Sequence, residues 1–479
     1  MKKSLPNVVY IFADQWRRDA VGFMGKEPVL TPRIDQFAEQ ALCFEQSITC
    51  TPICSPHRAS LMTGKYSLST GVYTNCKLGL TIGLEQSEVT ISDVLKQADY
   101  ATAYIGKWHL DCPEQNFEPL PRSGARDWDA YTPPGAKRHQ FDYWYSYGTY
   151  DEHLTPHYWQ DSEEMIQINE WSVKHETDMA LQYLESVHES NEPFALFLSW
   201  NPPHSPFDLV PDSYKKLYEG RSIEPLPNVR IRDPFLVHTG EEVPGGASVW
   251  KQMIADYYAA ITGIDGQFGR VLDKLEQLHL TDNTIVVLTA DHGELMGAHG
   301  FVAKHSWHEE SIGVPFMLRY PQQIVPARTR CVLNTVDIMP TLLELIGLDV
   351  PSSVQGQSMI PHILDEQQQG KPEDEWAEVA YISAFPGQMA AIERFQQHGL
   401  NHLHYGWRGV RSRSYTYVVD RGYSTDSPVQ RLLYDLRADP SQCSPLHLDN
   451  AKQHPVSEKL EQYLIAYLKM TNDEFDPQA

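Results

Sequence analysis

The sequence predicts an α/β fold, with a large, mostly parallel sheet sandwiched by helices and a smaller C-terminal antiparallel sheet with a terminal helix. Three observations predict it. Short apolar runs recur along the first 370 residues, separated by stretches with helical spacing. Polar clusters follow several of those apolar runs in the same register. Near residue 370 the pattern changes to short β-like runs and one closing helix.

Residues 7–13 (NVVYIFA) form the first strand run, too uniformly apolar for a half-exposed strand. Residues 90–98 have amphipathic helical spacing, and 100–105 form the next strand. A helix pattern covers 177–190 through Met179, Leu181, Leu184 and Val187. Residues 194–200 are again a compact apolar strand. The stretch 250–278 reads as a long helix, with Gly263 and Gly266 as possible interruptions. Residues 284–290 and 315–319 read as strands and 336–346 as a helix. Strands alternating with helices imply right-handed crossovers and helices on both sheet faces. The polar stretch 367–375, with Gly370 and Pro372, reads as a linker. Beyond it lie strand runs at 379–382, 409–413 and 415–419 and a helix at 456–470. The expected division is a catalytic unit over 1–370 and a smaller α+β unit over 371–479.

Composition narrows the function. Lys plus Arg number 39 and Asp plus Glu 63 in 479 residues, a net charge of −24, which disfavours a nucleic-acid partner. No apolar run reaches the ~18 residues of a membrane span. The run after Lys2 and Lys3 is too short for a secretory h-region, so the chain reads as cytoplasmic. Seven cysteines, an odd number, argue against a disulfide framework.

Active sites of open α/β sheets form at the carboxyl ends of strands. Asp14 and Gln15 end the first strand, Lys107 and His109 follow the second, and His204 follows the third within N-P-P-H-S-P-F. Asp291 and His292 end a fourth, with Lys304 shortly after. Asp14, Gln15, Asp291 and His292 offer two carboxylates, an amide oxygen and an imidazole. That set suits one divalent cation, most simply Ca²⁺, with Mn²⁺ also accommodated. In C-S-P-H-R-A-S-L-M-T-G (54–64), Pro56 suits a helical first turn and puts Cys54 at a helix N-terminus. Arg58 adds positive charge. On these grounds Cys54 is either a low-pKa nucleophile or a buried structural thiol.

The segment C-S-P-H-R-A-S-L-M-T-G closely resembles the motif of the type I sulfatases, within the alkaline phosphatase superfamily. P-N-V-V-Y-I-F-A-D-Q, G-K-W-H-L (106–110), P-P-H-S-P-F (202–207) and T-A-D-H-G-E (289–294) resemble that family's other active-site blocks. V-D-I-M-P-T-L-L-E-L-I-G (336–347) and L-Y-D-L-R-A-D-P (433–440) resemble its structural blocks. The resemblance spans almost the whole chain. It implies that Cys54 is oxidised to formylglycine by a formylglycine-generating maturation enzyme. It implies a metal bound by Asp14, Gln15, Asp291, His292 and residue 54. Arg58, Lys107 and His109 would hold the formylglycine, and Lys107, His204 and Lys304 the sulfate, with His204 as the acid for the leaving oxygen. The hydrated aldehyde would attack sulfur through one hydroxyl and release sulfate through the other. This chain departs from many members at His57, Gln15 and His292. The last two, with D-Q-W-R at 14–17, are similar to phosphonate monoester hydrolases, so phosphonate or phosphate ester cleavage is the alternative. A non-catalytic binding protein on this fold ranks below both.

The expected substrate is a small sulfated carbohydrate, such as a glycosaminoglycan-derived oligosaccharide. The aromatics of 128–159, among them Trp128, Tyr143, Trp144, Tyr147, Tyr150, Tyr158 and Trp159, suit sugar stacking or core packing. His305 and His308 beside Lys304 are pocket candidates. His402, His404, Arg408 and Arg411 form either a wall that binds a carboxylate or second sulfate, or a solvated basic face.

Overall fold

The computed structural model describes residues 5–190, 192–230, 246–369 and 378–478. Strands β1 (Asn7–Ala13), β2 (Leu42–Ile48), β3 (Ala101–Lys107) and β4 (Tyr143–Tyr147) come first. A two-stranded antiparallel ribbon follows, β5 (His157–Tyr158) and β6 (Ile166–Gln167). Then come β7 (Phe194–Trp200), β8 (Thr284–Ala290), β9 (Phe316–Arg319) and β10 (Ala327–Asn334). Apart from the ribbon, these strands form one eight-stranded sheet in the order β10-β2-β9-β8-β1-β7-β3-β4. All its pairings are parallel except those of β9, which runs antiparallel to β8 and β2. Between β8 and β9 the chain forms only a four-residue helix, Glu309–Ile312, in place of a long crossover helix packed on the sheet.

The alternation of β1 shows why its run is apolar throughout. Val9, Ile11 and Ala13 pack with Ala180 and Leu184 of helix Ser172–His188 and with Ile261, Ile264 and Phe268 of helix Gly246–Gln277. Val8, Tyr10 and Phe12 pack on the other face with Leu61, Leu95 and Leu342, from helices Cys54–Thr63, Ile91–Gln97 and Thr335–Ile346. Both faces are therefore covered, as a parallel sheet requires. The expected interruptions of helix Gly246–Gln277 do not occur. At Gly263 a Cβ would lie 2.4 Å from the Trp171 ring, so this glycine serves close packing and does not end the helix.

The second sheet is antiparallel throughout: β11 (Ala380–Ala384), β12 (Trp407–Arg411), β13 (Tyr415–Asp420), β14 (Gln430–Asp435) and β15 (Leu446–His447). Leu460, Leu464 and Tyr467 of the terminal helix Pro455–Thr471 pack on Val410, Tyr417 and Val419, and the same cluster includes Tyr66 and Val336. Ala380, Ile382 and Trp407 pack against Ile48, Ile312 and Val332. The two sheets thus share core. Of the expected linker 367–375, residues 367–369 end helix Ile360–Gln369, and the rest lies outside the described residues.

Candidate active site and metal centre

Four strand ends converge. Asp14 follows β1 and donates its backbone N–H to the Trp200 carbonyl at the end of β7 (2.9 Å). Asp291 follows β8 and donates to the Ala13 carbonyl (3.1 Å). The two carboxylates are thereby brought together, although they lie far apart in sequence. Helix Cys54–Thr63 points its N-terminus at them. It begins at Cys54, no side chain caps it, and it stops at Gly64 in the left-handed region (φ 64°). All ten of its residues are buried.

Arg58 lies one turn from Cys54, so its side chain shares the face of the thiol. Its guanidinium donates to Asp14 Oδ2 (3.1 Å), Asp291 Oδ2 (3.3 Å), Ser199 Oγ (2.8 Å) and the Lys107 carbonyl (2.6 Å). The Lys107 ammonium reaches Asp14 Oδ2 at 2.7 Å and donates to Asn201 Oδ1 at 3.0 Å. His292 Nε2 lies 3.4 Å from Asp14 Oδ1 and 3.3 Å from Cys54 Sγ. Ligand atoms of Asp14, Cys54, Asp291 and His292 all lie within 4.8 Å of one another, and all four residues are buried. Gln15 donates its amide to Glu294 Oε2 (2.5 Å), which turns Gln15 Oε1 to accept from Lys304 Nζ (2.6 Å). Lys304 Nζ also lies 3.5 Å from Cys54 Sγ and 2.9 Å from His204 Nε2.

This charge density sets the protonation states. Burial raises the pKa of Asp14, but Lys107, His204 and His292 outweigh it and hold the carboxyl well below its ordinary range. Burial and the nearby Asp14 charge raise Asp291. Burial alone would lower His292, yet Asp291, Cys54 and Asp14 raise it to about 10 against Lys304. Burial and Asp14 oppose a Cys54 thiolate, while Lys304, Lys107 and His292 prevail and hold the thiol well below its usual value. Burial lowers His109, which is therefore a neutral imidazole near pH 7. Its Nε2–H donates to the Cys76 carbonyl (3.1 Å), and its buried Nδ1 is left as an acceptor without a donor.

The donor set of Asp14, Asp291, His292 and the residue-54 atom, two carboxylates, an imidazole and a soft or hydroxyl atom within 4.8 Å of one another, could hold a divalent cation, whereas the Gln15 amide oxygen accepts from Lys304. The orphaned Nδ1 of His109, a ring on which the Cys54 charge bears, fits a hydroxyl-bearing group at position 54. Gln15, His109 and His305 have φ of 66°, 52° and 77°, a backbone conformation rare for such residues and concentrated at functional sites.

The other expected residues separate into two groups. His305 is exposed, and the charges of Lys304, His292 and Cys54 bear on it. His308 is instead stacked on His299, with ring centroids 3.6 Å apart, and bonds Ser306 Oγ. His404 pairs with Glu474 (2.9 Å), and His402 meets Tyr73 Oη (3.1 Å). The substrate wall expected at Arg408 and Arg411 needs correction. Arg408 is fully buried between Phe385 and Phe475, and its donors are used by Asp473 and by the carbonyls of Ala384, Leu403, Tyr405 and Trp407. Arg411 is buried against Glu309 and Gln46. Neither guanidinium is available to a ligand. Of the aromatics, Trp144, Tyr147, Tyr158 and Trp159 are core, whereas Trp128 is exposed.

Sequence reasoning missed the residues that hold His204. Asp151 Oδ1 lies 3.4 Å from His204 Nδ1 and accepts from Asn201 Nδ2 (3.1 Å). His204 Nδ1 is 2.7 Å from the Ser205 carbonyl, so it carries the proton in the neutral ring and leaves Nε2 facing Lys304. His153 Nε2 donates to the His204 carbonyl (2.8 Å). Asn201 stood inside a quoted motif. Asp151 and His153 follow β4, an aromatic strand that the periodicity did not reveal.

A parallel-sheet α/β fold with paired carboxylates, an imidazole and a motif cysteine gathered at converging strand ends, a cluster that could hold a metal ion, is the architecture of the alkaline phosphatase superfamily. The chain belongs to the sulfatase family: the family profile "Sulfatase" matches residues 6–348, and that of the "N-sulphoglucosamine sulphohydrolase, C-terminal" region matches 297–470. It is 34% identical to an endo-4-O-sulfatase of Bacteroides thetaiotaomicron over 98% of this chain and 92% of the relative. It is 33% identical to an ulvan-active sulfatase of Formosa agariphila over 98% and 82%. A solved structure from work on the metabolism of multiple glycosaminoglycans by Bacteroides thetaiotaomicron superposes with TM-score 0.84 at 32% identity, covering 98% of this chain and 97% of that one. A phosphonate monoester hydrolase of Agrobacterium radiobacter shares the fold at TM-score 0.72 and 22% identity, over 97% and 96%. No helix among the described residues is long and apolar enough to cross a membrane.

Proposed function

We propose that this sulfatase hydrolyses O-sulfate monoesters of carbohydrates, with residue 54 as the reacting group. The observation that carries the reading is the convergence of Asp14, Cys54, Asp291 and His292 within 4.8 Å, with Lys107, Lys304 and His204 beside them. Two relatives alike over 98% of this chain are named for 4-O-sulfate and ulvan, which supports a sulfated saccharide. Asp14, Gln15, Asp291 and His292, with residue 54, would hold one divalent cation, taken as Ca²⁺. That cation would supply Lewis-acid activation of an oxygen at residue 54. Formylglycine made from Cys54 by a maturation enzyme would, once hydrated by one water, supply two hydroxyls, one to attack sulfur with loss of the alcohol and one whose deprotonation releases sulfate and restores the aldehyde.

The chain's own residues do the rest. Arg58 holds both carboxylates in place from beneath, and Lys107 neutralises Asp14 beside the reacting atom. Lys304 presents its ammonium to the face where sulfate oxygens would lie, next to Cys54. In its imidazolium form His204 passes the Nε2 proton to the leaving alcohol oxygen, while Nδ1–H stays on the Ser205 carbonyl beside Asp151, and the ring returns to the neutral form with Nε2 facing Lys304. His109 Nδ1 accepts a hydrogen bond from the group at position 54.

Gln15 and His292 favour one second reading, cleavage of phosphonate or phosphate esters at the same centre. Kinetics on a sulfate and a phosphonate monoester with the same leaving group test the choice, alongside a panel of sulfated oligosaccharides. The account expects higher kcat/KM for the sulfate, and the reverse order would promote the second reading.

A further inference from the structure

Two lysines are buried among the described residues, Lys107 and Lys77. Lys107 has Asp14 as a partner at 2.7 Å. Lys77, only 7% exposed, makes no ion pair and donates its ammonium to no described protein group. A cation removed from water without a counter-charge is unfavourable, and here burial lowers its pKa with no carboxylate to restore it. What faces the ammonium is the ring of Trp128, 5.7 Å from Nζ to the centroid, and that ring is 40% exposed.

The main chain at Lys77 is clamped to the active site. Cys76 N donates to Ser55 Oγ (3.1 Å), beside the reacting position, and the Cys76 carbonyl accepts from His109. The Lys77 carbonyl accepts from Leu80 N and from Asn116 Nδ2, both at 3.2 Å. The Lys77 charge bears on His305, as do those of Lys304 and His292. An unpaired ammonium, with a partly exposed indole against it, therefore stands on a segment whose main chain bonds Ser55 and His109 of the site.

We propose that Lys77 and Trp128 form a subsite for a second anionic group, a carboxylate or a sulfate, carried by the alcohol part of the substrate. The subsite rests on the sulfatase reading and adds a charge requirement to it. The ammonium gains the counter-charge that the protein does not supply, and the indole gives a sugar ring an apolar face.

The test compares matched ligand pairs on the whole protein. One pair is a sulfated uronate-containing disaccharide and its carboxyl-reduced form. The other is a saccharide with two sulfates and its counterpart with one. Preference within each pair is read as a ratio of kcat/KM, and again as a ratio of Kd by calorimetry, which does not require turnover. Wild type should prefer the charged member, and Lys77→Met should reduce that preference roughly 10- to 150-fold, the range for a charge-assisted hydrogen bond. Lys77→Arg keeps the charge and should keep most of the preference. A preference confined to one pair identifies carboxylate or sulfate as the anion recognised. Equal losses on both members of each pair, or no preference in wild type, would overturn the subsite. If wild type shows charge-dependent binding but cleaves no sulfate ester, the sulfatase reading fails and the subsite stands.

Discussion

Two buried arginines of this protein sit in opposite circumstances. Arg408 lies between Phe385 and Phe475, and Asp473 together with four carbonyls uses its donors. Arg58 bonds Asp14 and Asp291, but those carboxylates also face Lys107, His292 and Cys54, and the buried Arg58 Nε has no acceptor. The first cluster closes on itself. The second leaves charge and bonding capacity directed at a point where a ligand belongs. What a buried cation does is therefore read from whether the carboxylates it bonds are used up by it or shared with further charged and nucleophilic groups.

The sharpest way to break the comparison is to remove members of the open cluster. Cys54→Ala and Asp291→Ala should each lower sulfate release ~10³-fold or more, while circular dichroism reports an intact fold. Chelation should abolish activity, and added Ca²⁺ should restore it. Near-normal turnover by Cys54→Ala would show that the reaction does not use this residue.

The closed cluster should respond in stability. Arg408→Ala leaves Asp473 buried and unpaired, and should cost about 3–5 kcal/mol in denaturant unfolding. Activity per folded molecule should change little. Asp473→Ala should cost a similar amount, and the double variant less than the sum. A selective loss of activity on charged saccharides would return Arg408 to the substrate.

Glu309 gives the comparison a pH axis. It is buried between Arg18, in the loop after β1, and Arg411 of β12, which joins its segment to the second sheet. Burial opposes its ionisation, but Arg411 and Arg18 prevail and lower its pKa to about 2 from the ordinary 4.5. A depressed folded pKa stabilises above the unfolded value and loses that contribution as pH falls through the folded one. The pair should therefore contribute about 3 kcal/mol at neutral pH, lost between pH 4.5 and 2. Glu309→Gln should flatten the stability profile in that window, and an unchanged slope would mean the pair is not coupled to folding.

The smallest expected effect is the most selective. If Asp151 acts through His204, Asp151→Asn should cost roughly 10-fold more on phenyl sulfate than on nitrophenyl sulfate, because only the poorer leaving group needs a strong acid. Equal losses would make Asp151 a structural residue.

The sequence made the central strands legible because β1, β7 and β8 are apolar on both faces. It hid β2 and β10, where polar residues such as Glu45, Arg328 and Arg330 break the apolar pattern. It hid β4 because five consecutive residues, YWYSY, read equally as an aromatic loop. The residues now grouped around Cys54 were legible because each follows a strand or lies within a motif. Asp151 and Lys77 were not, since only the fold brings their loops to the pocket. Arg408 was misread because its partner Asp473 lies 65 residues further on and nothing local announces the pair.

The central claim is that residue 54, converted to formylglycine, is the reacting group. Preparations made with and without a formylglycine-generating enzyme would differ in conversion, which mass spectrometry of the tryptic peptide 34–58 can quantify as loss of sulfur and two hydrogens with gain of one oxygen. Sulfate release per molecule should rise in proportion to the converted fraction and extrapolate to zero for the cysteine form. Full activity in protein whose residue 54 is entirely cysteine would contradict the account.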